Sequence, residues 1–180
     1  MRRILFKLLV VKIGLLLMLI LFNLPCYAQS EESVIKAAYI DRITRFVEWP
    51  QLQFPRDTST FKIGVYKDKE LYGILKIALK DKRIKNKEVT VFELTDFENV
   101  SSYDLCYLSE IPNNEIVNLM LVANKAGVLI LSAGKDYGAK GIHINFYIEE
   151  NKLKFEINRK SVSVGNFIIS SLLMNNSRII

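Results

Sequence analysis

The sequence predicts an α/β domain: one mixed, mostly parallel sheet covered by helices, with a C-terminal β-hairpin and a final helix. Three observations carry this. Strand-like and helix-like segments alternate between Phe61 and Ser132. The run "VLIL" (Val128 to Leu131) is apolar throughout, as suits a strand covered on both faces. The stretch "GIHINFYIEENKLKFEIN" (Gly141 to Asn158) reads as two long alternating strands joined at "EENK".

Each element has its own signal. From Val34, the residues Ile35, Tyr39, Ile43 and Val47 recur every four positions, which predicts a helix that Pro50 ends. "QFPRDTST" (Gln53 to Thr60) is a loop. "FKIGVY" puts Phe61, Ile63 and Val65 on one face of a strand. "KELYGILKIALK" has helical spacing at Leu71, Ile74 or Leu75, and Ala78 or Leu79. "VTVFEL" (Val89 to Leu94) is a second strand. "TDFENV" is a turn or short helix that Thr95 can cap. "DLCYLS" (Asp104 to Ser109) is a third strand. A helix begun by Asn113 or Asn114 closes at Gly127, and "VLILS" follows as a fourth strand. In the hairpin, Ile142, Ile144, Phe146 and Ile148 alternate with His143, Asn145 and Tyr147, while Leu153, Phe155 and Ile157 alternate with Lys154, Glu156 and Asn158. Ser161 to Asn176 is the final helix, with Val164, Phe167, Ile168, Ser171 and Leu172 near one face.

The first 28 residues stand apart. Arg2, Arg3, Lys7 and Lys12 precede an apolar run from Ile13 to Phe22, and Pro25 and "CYA" (Cys26 to Ala28) follow. That order reads as a secretory signal peptide cleaved after Ala28, which makes residues 29–180 an exported mature chain. The apolar run is roughly 15 Å long as a helix, about half of a ~30 Å hydrocarbon core. The leader holds four basic residues and no acidic ones, so the mature chain carries only about +2 of the full +6. A nucleic-acid interface would need a basic stripe on the folded domain, so nucleic acid is not an expected partner. The basic run "KDKRIKNK" (Lys80 to Lys87) reads as a solvated loop. Cys26 leaves with the leader. Cys106 is then the sole cysteine, set in the apolar "YDLCYLSE", and its burial is expected.

Little in the sequence suggests catalysis. His143 is the one histidine, and no serine or cysteine motif around it suggests a nucleophile. No Cys/His cluster has metal-ligand spacing, and no cofactor motif is present. "LSAGKDYGAKG" (Leu131 to Gly141) is glycine-rich but leads into a strand, whereas a phosphate cradle leads into a helix. It reads as a flexible loop at a sheet edge, where ligands often sit. Trp49, the only tryptophan, reads as packing over the end of the sheet. Glu156 and Asn158 share a strand face. Asn158 either caps the final helix or contacts a ligand, and Glu156 reads as an exposed or rim residue available to a partner.

Four segments together resemble a known family. "AAYIDRITRFVEWP", "INF" at Ile144 to Phe146, "KFEIN" at Lys154 to Asn158 and "GNFIISSLLM" at Gly165 to Met174 resemble, in this order, the signatures of the YfiR/HmsC family of periplasmic proteins. The resemblance implies a compact α/β regulator, not an enzyme, that restrains an inner-membrane diguanylate cyclase or sensor kinase through its periplasmic domain and so controls cyclic-di-GMP and biofilm. It makes a homodimer an expectation. The residues expected to bind a partner or ligand are Asn145, Phe146, Lys154, Glu156 and Asn158. The alternative is a periplasmic small-molecule-binding protein with no fixed protein partner, its ligand near Gly134 to Gly141. Family members often carry a cysteine where this chain has Gly64, so the resemblance does not extend to a disulfide switch with Cys106.

Overall fold

The computed structural model describes residue 12 and residues 26–51 and 59–180. Most of the expected leader, and residues 52–58 of the loop after Pro50, lie outside the described residues.

Helix α1 (Cys26–Phe46) runs straight into a two-residue strand, β1 (Val47–Glu48). Strand β2 (Thr60–Tyr66) leads to helix α2 (Lys69–Ala78), which starts where the Asp68 carboxylate accepts the Leu71 N–H at 2.9 Å. A short hairpin follows, β3 (Arg83–Ile84) and β4 (Lys87–Leu94). After a 3₁₀ turn at Val100–Ser102 come β5 (Leu105–Leu108), helix α3 (Ile116–Ala126) and β6 (Leu129–Ser132). Gly127 ends α3 in the left-handed region at φ 64°, as the sequence predicts. The C-terminal part is β7 (Ile144–Glu149), β8 (Lys152–Ile157), α4 (Arg159–Val164), β9 (Ile168–Ile169), α5 (Ser171–Asn175) and β10 (Arg178–Ile179).

Eight strands form one sheet in the order β10-β8-β7-β6-β5-β2-β4-β3. The run β7-β6-β5-β2-β4 is parallel throughout; β7 with β8 and β3 with β4 are antiparallel, and β10 is parallel to β8. This is the predicted mixed, mostly parallel sheet. Strand alternation divides its central side chains between two cores. Phe61, Ile63, Val65, Leu105, Tyr107, Leu129, Leu131, Ile144 and Phe146 pack with α1, α2 and the C-terminal segment. Cys106, Leu108, Val128 and Ile130 face the other way, against α3.

Two predicted helices differ from what forms. In α1 the buried stripe runs through Ala37, Ile40 and Ile43 and passes into β1 at Val47, while Ile35 is exposed. Lys36 is drawn into that stripe because its ammonium lies over the Tyr107 ring and bonds Glu32 at 2.7 Å. The expected helix Ser161 to Asn176 breaks at Asn166, whose φ of 55° leaves the helical region. The chain then pairs with β1, Ile169 opposite Val47. Val164, Ile168 and Leu172 are exposed, so the expected apolar face does not form as one stripe. The four signature segments therefore meet as two pairs in space: the first with the last through β1 and β9, and "INF" with "KFEIN" through β7 and β8.

Candidate functional site

The antiparallel register of β7 and β8 creates a polar ladder on the face away from the main core. Asn145 stands opposite Glu156 and Tyr147 opposite Lys154. One step further, the Asn158 N–H bonds the His143 carbonyl at 2.9 Å. The connection between β6 and β7, residues 133–143, lies over this ladder. It is not the flexible loop the sequence suggests. Asn145 Nδ2 donates to the Gly134 carbonyl at 3.0 Å, and Asn158 Nδ2 to the Gly138 carbonyl at 2.9 Å. Ser161 Oγ donates to the Gly141 carbonyl. The Tyr137 hydroxyl donates to the Ile111 carbonyl and accepts the Ile111 N–H at 3.1 Å. Gly138 allows the closest approach, since a Cβ there would stand 2.4 Å from Glu156 Oε1.

Glu156 sits at the centre. It is buried, its side chain 12% exposed, and not the rim residue the sequence suggests. Its Oε1 accepts from Asn145 Nδ2 at 3.1 Å, and its Oε2 lies 3.6 Å from Arg178 on β10. Pairing and hydrogen bonding are what allow a carboxylate to stay under the loop. Asn145 Oδ1 is buried without a partner among the described residues. Asn158 caps α4, its Oδ1 accepting the Ser161 N–H at 2.8 Å. Phe146 points to the opposite face and is buried in the main core, in tilted and edge contacts with Tyr107 and Phe155. Its role in this fold is packing. Lys154 is half-exposed on the ladder's outer step and pairs with Glu149, which also meets Arg178 at 2.9 Å. That contact with Lys154 holds the Glu149 carboxyl below the usual carboxylate range and raises the Lys154 ammonium.

His143 continues the ladder inward and is fully buried. Its Nδ1 accepts the Ile130 N–H at 3.0 Å, which leaves the proton on Nε2, 2.8 Å from Asn124 Oδ1. The Phe167 ring packs edge-on against it, centroids 5.0 Å apart. Burial lowers its pKa to about 3, so the ring stays neutral. With both nitrogens engaged and no route to solvent, it serves as a structural tie between β6, β7 and α3, and not as a general base. Among the described residues, no group of three or more His, Cys, Asp or Glu could hold a metal ion.

Sequence reading did not find Tyr137, Ser161, Arg178 or Asn124. An aromatic between Gly134 and Gly138 is a weak sign of an anchored loop, and Ser161 sits at the N3 position of the Asn158 cap. Nothing near Arg178 or Asn124 in the chain points to Glu156 or His143.

The geometry therefore defines a three-layer α/β domain whose buried polar groups clamp a loop and whose exposed groups form a charged C-terminal edge. The sequence profile of the YfiR/HmsC-like family matches residues 33–178, and the chain belongs to that family, a regulatory one. No curated protein matches the chain. Two solved structures are similar. A conserved domain protein from Vibrio cholerae O1 biovar El Tor is 14% identical with a TM-score of 0.51, over 79% of this chain and 59% of that one. The ABC domain in complex with L-Trp from Streptococcus pneumonia is 11% identical with a TM-score of 0.46, over 67% of this chain and 55% of that one. This chain thus spans less than two thirds of either structure. Among the described residues, no helix is long and apolar enough to cross a membrane.

Proposed function

We propose that this protein is an exported regulator that acts on the periplasmic domain of an inner-membrane signalling protein, a diguanylate cyclase or a sensor kinase. The observation that carries the reading is the family match over residues 33–178. The basic, apolar and small-residue order of the leader supports export. The exposed C-terminal edge is the proposed contact surface. There Arg178 stacks over the Tyr147 ring at 4.0 Å and, with Lys154, brackets Glu149. A cation–π stack and exposed charged groups of this kind suit recognition of a polar partner surface. The clamped loop favours a protein partner over a small ligand, because Tyr137, Asn145 and Asn158 already hold its carbonyls and nearby amide.

Deletion of the gene in its host, followed by measurement of cyclic-di-GMP and of biofilm, is the test. Cyclic-di-GMP should rise on deletion and return on complementation. Lys154→Glu should complement poorly while melting like the parent. N-terminal sequencing of the exported form should begin at Gln29 or within a residue or two. Unchanged cyclic-di-GMP on deletion, together with an intact Met1 in the membrane fraction, would sink the reading.

A further inference from the structure

We infer that the end of the domain formed by α2 and the β3–β4 hairpin docks on the surface of an anionic phospholipid bilayer, with Ile77 at the headgroup boundary. The inference does not rest on the regulatory reading, whose proposed contact edge lies at the other end of the sheet, at β8 and β10. Residues 76–87 hold six cations, Lys76, Lys80, Lys82, Arg83, Lys85 and Lys87, against one carboxylate, Asp81. That segment carries +5 while residues 29–180 carry about +2, so the remainder of that chain is about −3. So uneven a distribution turns this end, and no other, towards a negative surface. Two tight turns gather the cations. Asp81 takes φ 60° just after α2, and Lys85 and Asn86, at 50° and 64°, form the two-residue hairpin loop. Lys82 meets Asp41 at 3.2 Å and Lys85 the Arg45 carbonyl at 3.4 Å, which fastens the hairpin to α1. Lys80 and Arg83 are exposed, and no hydrogen bond or ion pair engages their side chains among the described residues.

Ile77 selects the occupant. Leu71 and Leu75 are buried on the inner face of α2, whereas Ile77 is 79% exposed, with Lys76 and Lys80 beside it. One turn earlier on the same outer face, a Cβ at Gly73 would meet nothing within 4 Å, so the approach is open. A cleft of about 500 Å³ adjoins this face, with Leu79, Val89 and Val91 as its apolar lining and Lys76, Lys80 and Arg83 as its cations. A soluble anion would answer the cations and leave Ile77 in water. An acidic protein would have to set fixed carboxylates against ammonium groups carried on long, flexible stems. A bilayer surface meets both needs at once. Its phosphates are a diffuse negative charge, one headgroup can enter the cleft, and the boundary of the acyl chains receives Ile77. A single apolar anchor with a polybasic patch gives reversible binding that salt weakens.

Co-sedimentation of the exported form with vesicles of phosphatidylglycerol or of phosphatidylcholine, in low and in high salt, is the test. The protein should bind phosphatidylglycerol in low salt, bind phosphatidylcholine about tenfold or more weakly, and leave the anionic vesicles as salt rises. Lys80→Gln with Arg83→Gln should weaken binding about tenfold or more. Lys125→Gln with Lys135→Gln removes the same charge from exposed positions outside this patch and should leave binding close to that of the parent. Ile77→Ser should weaken binding about threefold or more while melting like the parent, because the side chain it removes is exposed. A parent protein that ignores anionic vesicles, or binds both lipids equally, overturns the proposal, whatever acidic protein it may capture instead. So does equal loss in the two paired variants, or full binding by folded Ile77→Ser.

Discussion

Gly64 on β2 and Cys106 on β5 are registered neighbours, and the Cys106 thiol fills the room a side chain at position 64 would need. A Cβ at Gly64 would lie 3.2 Å from the sulfur and 2.8 Å from Leu94 Cδ1. Cys106 is fully buried against the α3 side. It should therefore react slowly with thiol reagents in the native state. Cys106→Ser should fold, at a cost of ~1–3 kcal/mol for the buried hydroxyl. Rapid labelling of the native protein, or a covalent dimer on a non-reducing gel, would contradict this burial.

Glu156→Ala should now cost more than a surface change. It strips the buried Asn145 amide of one acceptor and Arg178 of an ion-pair partner. A loss of ~1–3 kcal/mol is expected by urea denaturation. Glu156→Gln keeps an acceptor for Asn145 and should lose less. Equal losses for the two variants would mean that the bond to Asn145 contributes nothing.

Trp49→Ala should cost ~3–5 kcal/mol, as a large truncation at a packed site. The indole meets Phe61 and Phe167 edge-on, with centroids 5.1 and 6.1 Å away, and its Nε1 donates to the Asp104 carbonyl at 2.9 Å. Trp49→Phe keeps most of the packing and should lose about 1 kcal/mol for the bond. A Trp49→Ala variant that melts like the parent but fails in signalling would make this residue a recognition element.

His143 makes the fold acid-sensitive. Its folded pKa, about 3, lies below the unfolded value of 6.5, so between these the unfolded chain binds a proton that the native state does not. The stability that rests on neutral His143 is complete above pH 6.5 and is lost progressively as pH falls from 6.5 towards 3. At ~1.4 kcal/mol per unit, the total reaches several kcal/mol. His143→Phe should be less stable at neutral pH, because the Ile130 N–H and Asn124 lose their partner, yet its stability should fall less steeply with acid. Parallel pH curves for the two proteins would count against this assignment.

Much of the fold was legible because strand alternation reports side directly. Phe61, Ile63 and Val65, and Leu153, Phe155 and Ile157, fall on the core face as their spacing predicts. Alternation does not say what covers the other face. His143, Asn145 and Glu156 were placed correctly on it, but the loop over the ladder is fixed by bonds from Asn145 to Gly134, from Asn158 to Gly138 and between Tyr137 and Ile111, and Glu156 is paired by Arg178, all of them contacts between residues distant in sequence. The break in the final helix was hidden for a similar reason. Asn166 can take a left-handed turn cheaply, but only pairing with distant Val47 makes that turn worth taking.

The clamped connection between β6 and β7 has a consequence for how the chain completes its folding. Backbone bonds such as Tyr137 N–H to Gly134 and Ile142 N–H to Tyr137 form turns within it, but its anchors to the rest of the domain come from Ile111 before it and from Asn145, Asn158 and Ser161 after it. It docks fully only once both flanks are in place. Lys135 and Lys140 lie within it, which makes it a natural gauge of completion: during refolding of the purified protein, trypsin cuts there should track the fraction of molecules still open.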